Sequence, residues 1–474
     1  MSIRIVMLAS LSLAALGCGD NLHDDHCADG HIDEECPGEP LAHTLYVAHE
    51  GTLVSYDIAS GAERPGTVTD VTAPVDMQAL DDGTIMVNLT GENAVMAVDG
   101  RSMIEISRIP SSGMGAVRPV HSYITSEREG RVFWVAMNDG SDGEGNSAAF
   151  IDITPGSGQR FTRVGEVALG VGHHKASFSA TRTRFVASNI SDCDNVISVY
   201  DYSDLDDIQA IATLTGADAG FDHADPGEEM FDPLFCDPTF TRGLPPAPHG
   251  CDTSPASGKA YCNITSSGDI AVIDLDAEQP TFTLVPTSGS GGGKTHVGPD
   301  GRYVYSLQET PRGGCGIGQL VVIDTQDDSI AAELPLGYTG PDCDDDLAGT
   351  PQESANPDHL TFSADGTILF VGVAGGFDDA DARVDQHVVV DVSDPSAPVQ
   401  LPSIQMGVST GHSSDALSGD GSTLFCVDAV DGTITEVDVA SREVVRTIDV
   451  GNNPKVVATY GSEEGPSEQT GPVE

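Results

Sequence analysis

Positive charge is what this chain has least of. It carries 21 Lys and Arg against 74 Asp and Glu, a net charge of −53. A surface so acidic excludes nucleic acid as a partner and draws cations toward any concave site. Aromatic residues are scarce as well, at 5% of 474 residues with a single Trp. Beyond residue 16 no apolar run is long enough to cross a membrane. No helical period persists over any length, which excludes a helical bundle. What the chain has in plenty is Gly, 54 residues, and Pro, 28 residues. Together with many Asp residues these point to short strands joined by turns.

The first segment reads as targeting. Arg4 precedes an apolar run from Ile5 to Leu16, suited to a signal-peptide core and too short for a stable membrane span. Ala15-Leu16-Gly17-Cys18 resembles a bacterial lipobox. That resemblance implies that Cys18 becomes the lipidated first residue of a mature lipoprotein, facing the periplasm or the cell surface and touching membrane only through its anchor. Ordinary cleavage nearby is the alternative. Export agrees with the cysteines, because disulfides persist outside the cytosol. Of ten Cys, nine remain after Cys18, so an odd one is left free. Cys426, inside an apolar strand, is the expected buried thiol. Cys27–Cys36 and Cys315–Cys343 are plausible loop-stapling bridges, with connectivity left open.

From about Leu45 the chain repeats one phrase: a short strand, a turn often built on Asp-Gly, an apolar strand, then a strand running into Asp. Ser363-Ala364-Asp365-Gly366 and Ser418-Gly419-Asp420-Gly421 occupy matching turns, and Val272-Ile273-Asp274, Val322-Ile323-Asp324 and Val389-Val390-Asp391 matching third strands. A four-stranded unit recurring every fifty-odd residues marks β-propeller blades. The fold expected is all-β, a single propeller of four-stranded blades, eight favoured and seven the alternative. Its ring would close by pairing the C-terminal strand near 454–460 with N-terminal strands. The expected organisation is a signal peptide at 1–17, lipidated Cys18 and a His/Asp-rich linker at 18–42, the propeller at 43–461 and a disordered acidic tail at 462–474. Residues 203–248 read as a long loop over one face. Acidic insertions at 139–146 and 342–346 read as solvated loops without the ordered spacing of a calcium loop.

Six histidines recur in corresponding first strands. His359 lies six residues before Asp365, His412 eight before Asp420 and His296 four before Asp300. With Glu129, Thr181 and Ser257 as the equivalent turn positions, His121, His173 and His249 each lie eight before. Even offsets put all six on one strand face, and first strands line the channel of a propeller, so these residues are expected to converge on its mouth. Asp76 shares the register, six before Asp82, and His174 adjoins His173. Converging imidazoles favour their neutral, metal-binding forms. Imidazole and carboxylate donors suit Zn²⁺, with Cu²⁺ as the alternative. In the linker, His23, His26 and His31 among acids suggest a metal-capturing arm, against the plainer reading of a solubilising spacer. Ser288 to Thr295 mimics a phosphate-binding loop but lacks its first Gly and a following helix.

Arg118-Pro119-Val120-His121, the pair His173-His174, and the run from Cys236 through Pro248-His249-Gly250 to Cys262 resemble the AztD-type periplasmic zinc metallochaperones. These are β-propellers that hand zinc to the metal-binding protein of a transporter. The resemblance implies His121, His173 or His174, and His249 as zinc ligands; His296, His359 and His412 exceed the family pattern, and a lipid anchor departs from it. Runs such as Gly451-Asn452-Asn453-Pro454 resemble YVTN (YncE-like) surface-protein repeats. That likeness implies the alternative of a cell-surface interaction propeller without metal. A metal-dependent propeller hydrolase or oxidase is a third class. The histidine ring also looks like the copper centre of nitrous-oxide reductase, but no electron-accepting Cys/Met/His cluster follows. No Ser-His-Asp motif supports a covalent enzyme, so an enzyme is the less favoured reading.

Overall fold

The computed structural model describes residues 43–460, except 116, 128–129, 141–144, 191, 193–194, 217, 220–247, 266, 290–293, 313–314, 338–355, 378–382, 409–414 and 452. The expected signal peptide, linker and tail lie outside the described residues, as do Cys27, Cys36 and Cys343, so neither expected bridge, Cys27–Cys36 or Cys315–Cys343, falls within them.

Each repeat of the sequence folds as one antiparallel four-stranded sheet, and there are eight such sheets. Blade 1 begins with the strand Pro74–Ala79, blade 2 with Val117–Ser126, blade 3 with His173–Phe178 and blade 4 with Pro248–Thr253. Blades 5, 6 and 7 begin with Thr295–Val297, Asn356–Phe362 and Asp415–Leu417. The eighth joins the two ends of the chain: Pro454–Thr459 pairs with Thr44–His49, followed outward by Gly51–Asp57 and Val68–Val71. Ring closure by both termini is therefore as expected, and the count is eight. First strands pack against those of neighbouring blades, as Pro74–Ala79 does against Val117–Ser126 and His173–Phe178 against Pro248–Thr253, and form the inner wall.

The repeated phrase has a local cause. Asp365 accepts hydrogen bonds from the Ser363 hydroxyl and from the Thr367 amide and hydroxyl, and Asp420 does the same with Ser418 and Ser422. Each acid is followed by a glycine at positive φ, Gly366 at 69° and Gly421 at 68°, which a side chain would strain. The Asp ending each third strand starts the next turn, accepting an amide two or three residues on, as Asp391 does from Ser393 and Asp438 from Ser441.

Both faces of every sheet are apolar because every sheet has two neighbours. One hydrophobic cluster fills each of the eight junctions. Between blades 6 and 7, for instance, Phe370 and Val389 meet Leu417, Leu424 and Cys426. The segment expected as a loop at 203–248 is partly regular: Gln209–Leu214 is the outer strand of blade 3, since its alternation completes a ladder the sheet would otherwise lack. The acidic insertions lie largely outside the described residues. The phosphate-loop mimic runs into the strand Thr295–Val297 and not into a helix.

Candidate metal centre

The inner strands carry an unusual share of ionisable side chains. Each second strand begins opposite the Asp that ends the third, as in Thr84–Asp99, Phe133–Asp152, Arg184–Asp201, Tyr303–Asp324 and Ile368–Asp391. Four residues further along, the inner-strand neighbours are Asp76, His121, Lys175, Lys294 and His359. The level is a mixed ring of acid, imidazole and ammonium. The ladder runs unbroken from the turn to His121, His296 and His359. A register shift at a bulge interrupts it at Asp76 in blade 1, at His173 and His174 in blade 3 and at His249 in blade 4. Counting by twos therefore does not extend to those four residues. His412 lies outside the described residues.

A second physical point decides where these side chains meet. The two faces of a blade pack against the blades before and after it, so residues sharing a face in successive blades enter successive clefts. His121 meets Asp76 between blades 1 and 2 and His359 meets Asp415 between blades 6 and 7, so these two do not aim at one point.

One cleft gathers a donor set, between blades 6 and 7. His359, Gly372 and His387 form a straight row across three strands of blade 6. The His359 ring lies over the glycine, and the centroids of the two imidazoles are 5.4 Å apart. A Cβ at position 372 would lie 1.8 Å from His359 Cε1, so only glycine leaves room for the ring. Facing this row, blade 7 presents Asp415 and its cross-strand neighbour Cys426. His359 Nε2 donates to Asp415 Oδ2 at 2.8 Å and His387 Nε2 to the same oxygen at 2.6 Å. The donor atoms of the three residues lie within 4.8 Å of one another, and all three residues are buried. Cys426 Sγ is 3.9 Å from His387 Nε2.

The electrostatics fit a cation. Burial pushes the Asp415 carboxyl up, but His359 and His387 outweigh it and hold the group well below the usual carboxylate range. Burial pushes the Cys426 thiol well up, and the charges of Asp415 and Asp428 add to that. Among the described residues Asp415 Oδ1 is buried without a hydrogen-bond partner, which is unusual for a carboxylate oxygen. Tetrahedral zinc sets nitrogen and oxygen ligands roughly 3.3 Å apart, so the His359–Asp415 and His387–Asp415 pairs, at 2.8 and 2.6 Å, would each open by roughly 0.5–0.7 Å. Two imidazoles and a carboxylate are a donor set that such an ion takes.

Elsewhere the ring does other work. Between blades 1 and 2, Asp76 Oδ2 accepts the Ser122 amide at 2.7 Å and its hydroxyl at 3.2 Å, with His121 Nδ1 3.9 Å away. Between blades 4 and 5, Asp252 Oδ2 likewise accepts the Val297 amide at 2.7 Å. These carboxylates clasp one inner strand to the next. Around His296 the field is positive. Burial pushes this imidazole well below its usual range, and Lys294, Lys175 and His359 push it the same way. The chain has only four lysines, and two of them stand here, a poor setting for a cation.

Of the residues expected from sequence, His359 belongs to the clustered site, Asp76 and His121 meet at another junction, and His173, His174, His249 and His296 occupy inner strands. His387 and Asp415 were not foreseen. Gly372, a glycine inside an otherwise apolar strand, marks a close approach, which is that of the His359 ring and not of His387. Cys426 is a free buried thiol, as expected, and Cys251 and Cys262 form a cross-strand disulfide.

The sequence matches no protein-family model and no curated protein. In structure the chain is similar to apo AztD from Citrobacter koseri, with TM-score 0.53 and 15% identity over 89% of this chain and 98% of that one. It is similar to the periplasmic gluconolactonase PpgL of Pseudomonas aeruginosa, with TM-score 0.51 and 18% identity over 81% and 97% of the two chains. Dihydro-heme d1 dehydrogenase NirN matches with TM-score 0.50 and 16% identity over 77% of this chain, which spans 64% of that protein. The resemblance to AztD-type propellers is thus borne out in the fold, and what the chain shares with all three is the propeller.

Proposed function

We propose that this propeller binds a transition-metal ion as its cargo, zinc by preference and Cu²⁺ as the alternative, through His359, His387 and Asp415. The observation that carries the reading is the convergence of two buried imidazoles on one buried carboxylate oxygen, over a glycine that clears space for the ring. Strand packing does not demand a carboxylate at Asp415, because its equivalents in other blades are Met77, Ser122, Ala176, Cys251, Thr295 and Leu360. The likeness to AztD, in sequence motifs and in fold, supports a metallochaperone role in the cell envelope, with a periplasmic metal-binding protein of a transporter as receiver. Export, a lipid anchor on Cys18 and capture by the His/Asp-rich arm at 18–42 belong to the same reading. Palmitate labelling that survives Cys18→Ala removes the anchor from it, and unchanged loading kinetics after deletion of residues 19–36 remove the arm.

The test is a zinc titration of the chelator-stripped protein against a competing chelator. One ion bound per chain is expected, with binding abolished by His387→Ala. The resemblance points instead to His121, His173, His174 and His249. If replacing these abolishes binding while His387→Ala leaves it intact, the site assignment is overturned. If the stripped protein takes up no zinc or copper at micromolar concentrations, the metal reading fails and an interaction propeller takes its place.

A further inference from the structure

Cys426 occupies a place in its blade that another blade also fills with cysteine. Counted from the third-strand Asp, Cys426 in blade 7 corresponds to Cys262 in blade 4. Their inner-strand partners, Asp415 and Cys251, correspond too. In blade 4 the pair closes into a disulfide. In blade 7 the partner is a carboxylate, so the same rung holds an unbridged thiol. The other blades fill the second-strand position with Val47, Val87, Ala136, Ala187, Ser306 and Val371, all small or β-branched. A cysteine used as a small apolar filler would suit the cleft equally well. What distinguishes Cys426 is its surroundings: its sulfur stands 3.9 Å from His387 Nε2 and its strand neighbour is Asp415, which both imidazoles touch.

We infer that Cys426 Sγ is the fourth donor of the site between blades 6 and 7, making it a His₂–Asp–Cys centre selective for thiophilic divalent cations. This rests on the metal reading proposed above and adds a ligand and a specificity to it. Zinc bonds of about 2.3 Å to sulfur and about 2.0 Å to nitrogen set the two roughly 3.6 Å apart, near the separation already present. A thiolate donor favours zinc, cobalt, cadmium and copper over magnesium, calcium and manganese, which prefer oxygen. On binding, the thiol gives up its proton to solvent, the proton on each ligating Nε2 leaves to solvent or is exchanged to Nδ1, and the freed nitrogen and sulfur lone pairs bond the ion; no oxidation state changes. The carboxylate opposite has a second consequence: with Asp415 where blade 4 has Cys251, the sulfur is kept from the disulfide that would remove it as a ligand.

Cobalt(II) added to the chelator-stripped full chain tests this, because its visible bands report tetrahedral binding and a near-ultraviolet thiolate-to-cobalt band reports sulfur. Both sets are expected in the wild type. Cys426→Ser is expected to lose the near-ultraviolet band and to weaken binding by on the order of 100-fold or more, beyond what a partner outside the ligand set is worth, while keeping visible bands. Cys426→Ala, which keeps the cleft apolar, should lose the same band, and its unfolding midpoint separates loss of a ligand from loss of the fold. Cobalt bound with visible bands that depend on His387, but with no sulfur band and no effect of Cys426→Ser, overturns the inference and leaves the metal reading standing. Cobalt and zinc both failing to bind the wild type overturns both.

Discussion

The junction of blades 1 and 2 and the junction of blades 6 and 7 are built from the same kinds of residue. Each brings a buried Asp beside a histidine of the same ring level, His121 in one and His359 in the other. They differ in what the carboxylate is doing. Asp76 is held by the amide and hydroxyl of Ser122, donors from a neighbouring strand that cannot leave without opening the ring. Asp415 is held by two imidazole Nε2 atoms, donors that can exchange a proton for a metal bond. The type of residue does not make a metal site. The exchangeability of its partners does.

The largest effect that tests this contrast is expected from Gly372→Ala. The new Cβ would overlap the His359 ring, 1.8 Å from Cε1, so the ring must leave its place. Loss of metal binding is expected together with destabilisation of about 2–3 kcal/mol from overpacking, read by chelator competition and by denaturant unfolding. Retained affinity would mean that His359 is not a ligand.

Next comes a matched pair of substitutions. Asp415→Asn is expected to weaken zinc by on the order of 100-fold or more, since even partners outside the ligand set are worth about 10- to 100-fold. Asp76→Asn should leave zinc affinity unchanged and cost about 1 kcal/mol of stability by weakening the clasp on Ser122. Equal losses of affinity from the two would erase the distinction drawn between the junctions.

A smaller effect is expected from His296→Ala. Because Lys175 and Lys294 set a positive field around this imidazole, zinc affinity should stay within about twofold of wild type, the change expected of a group that only tunes the field. Isothermal titration of the stripped variant reads it, and a loss like that of His387→Ala would restore the full-ring reading.

The smallest concerns the turns that space the blades. The Ser418 hydroxyl, then the hydroxyl and amide of Ser422, hold the Asp420 carboxyl down to about 2. A depressed carboxyl contributes stability above its unfolded value near 3.9 and loses it as pH falls from about 4 through about 2. Solvent exposure limits the contribution to about 0.5 kcal/mol. The midpoint difference between wild type and Asp420→Asn should be present near neutrality and vanish near pH 2. A difference that persists in acid would assign it to turn geometry.

Much of the architecture was legible because its causes are local. Asp-Gly turns, third strands ending on Asp and alternating apolar positions act within a few residues, and their recurrence counted the blades. The site was legible only in part. His359 stood out because it recurs in register with other first-strand histidines. His387 did not, because it lies on a third strand where no other blade places a histidine. Asp415 was overshadowed by His412, three residues earlier. The parity argument was weakened by bulges in the inner strands, which no pattern in the sequence announces.

The sequence by itself determined an all-β chain of repeated four-stranded units whose ends must meet, since each unit carries its own turns and two apolar faces that need neighbours. Only the tertiary structure decided which side chains come together. His359 and Asp415 are separated by 56 residues, and His387 and Asp415 by 28, and the two histidines stand on a different blade from the acid. Their meeting depends on how far one blade is turned against the next and on a glycine that lets a ring lie flat over the sheet. Those are properties of packing between repeats, and the pattern within one repeat does not contain them.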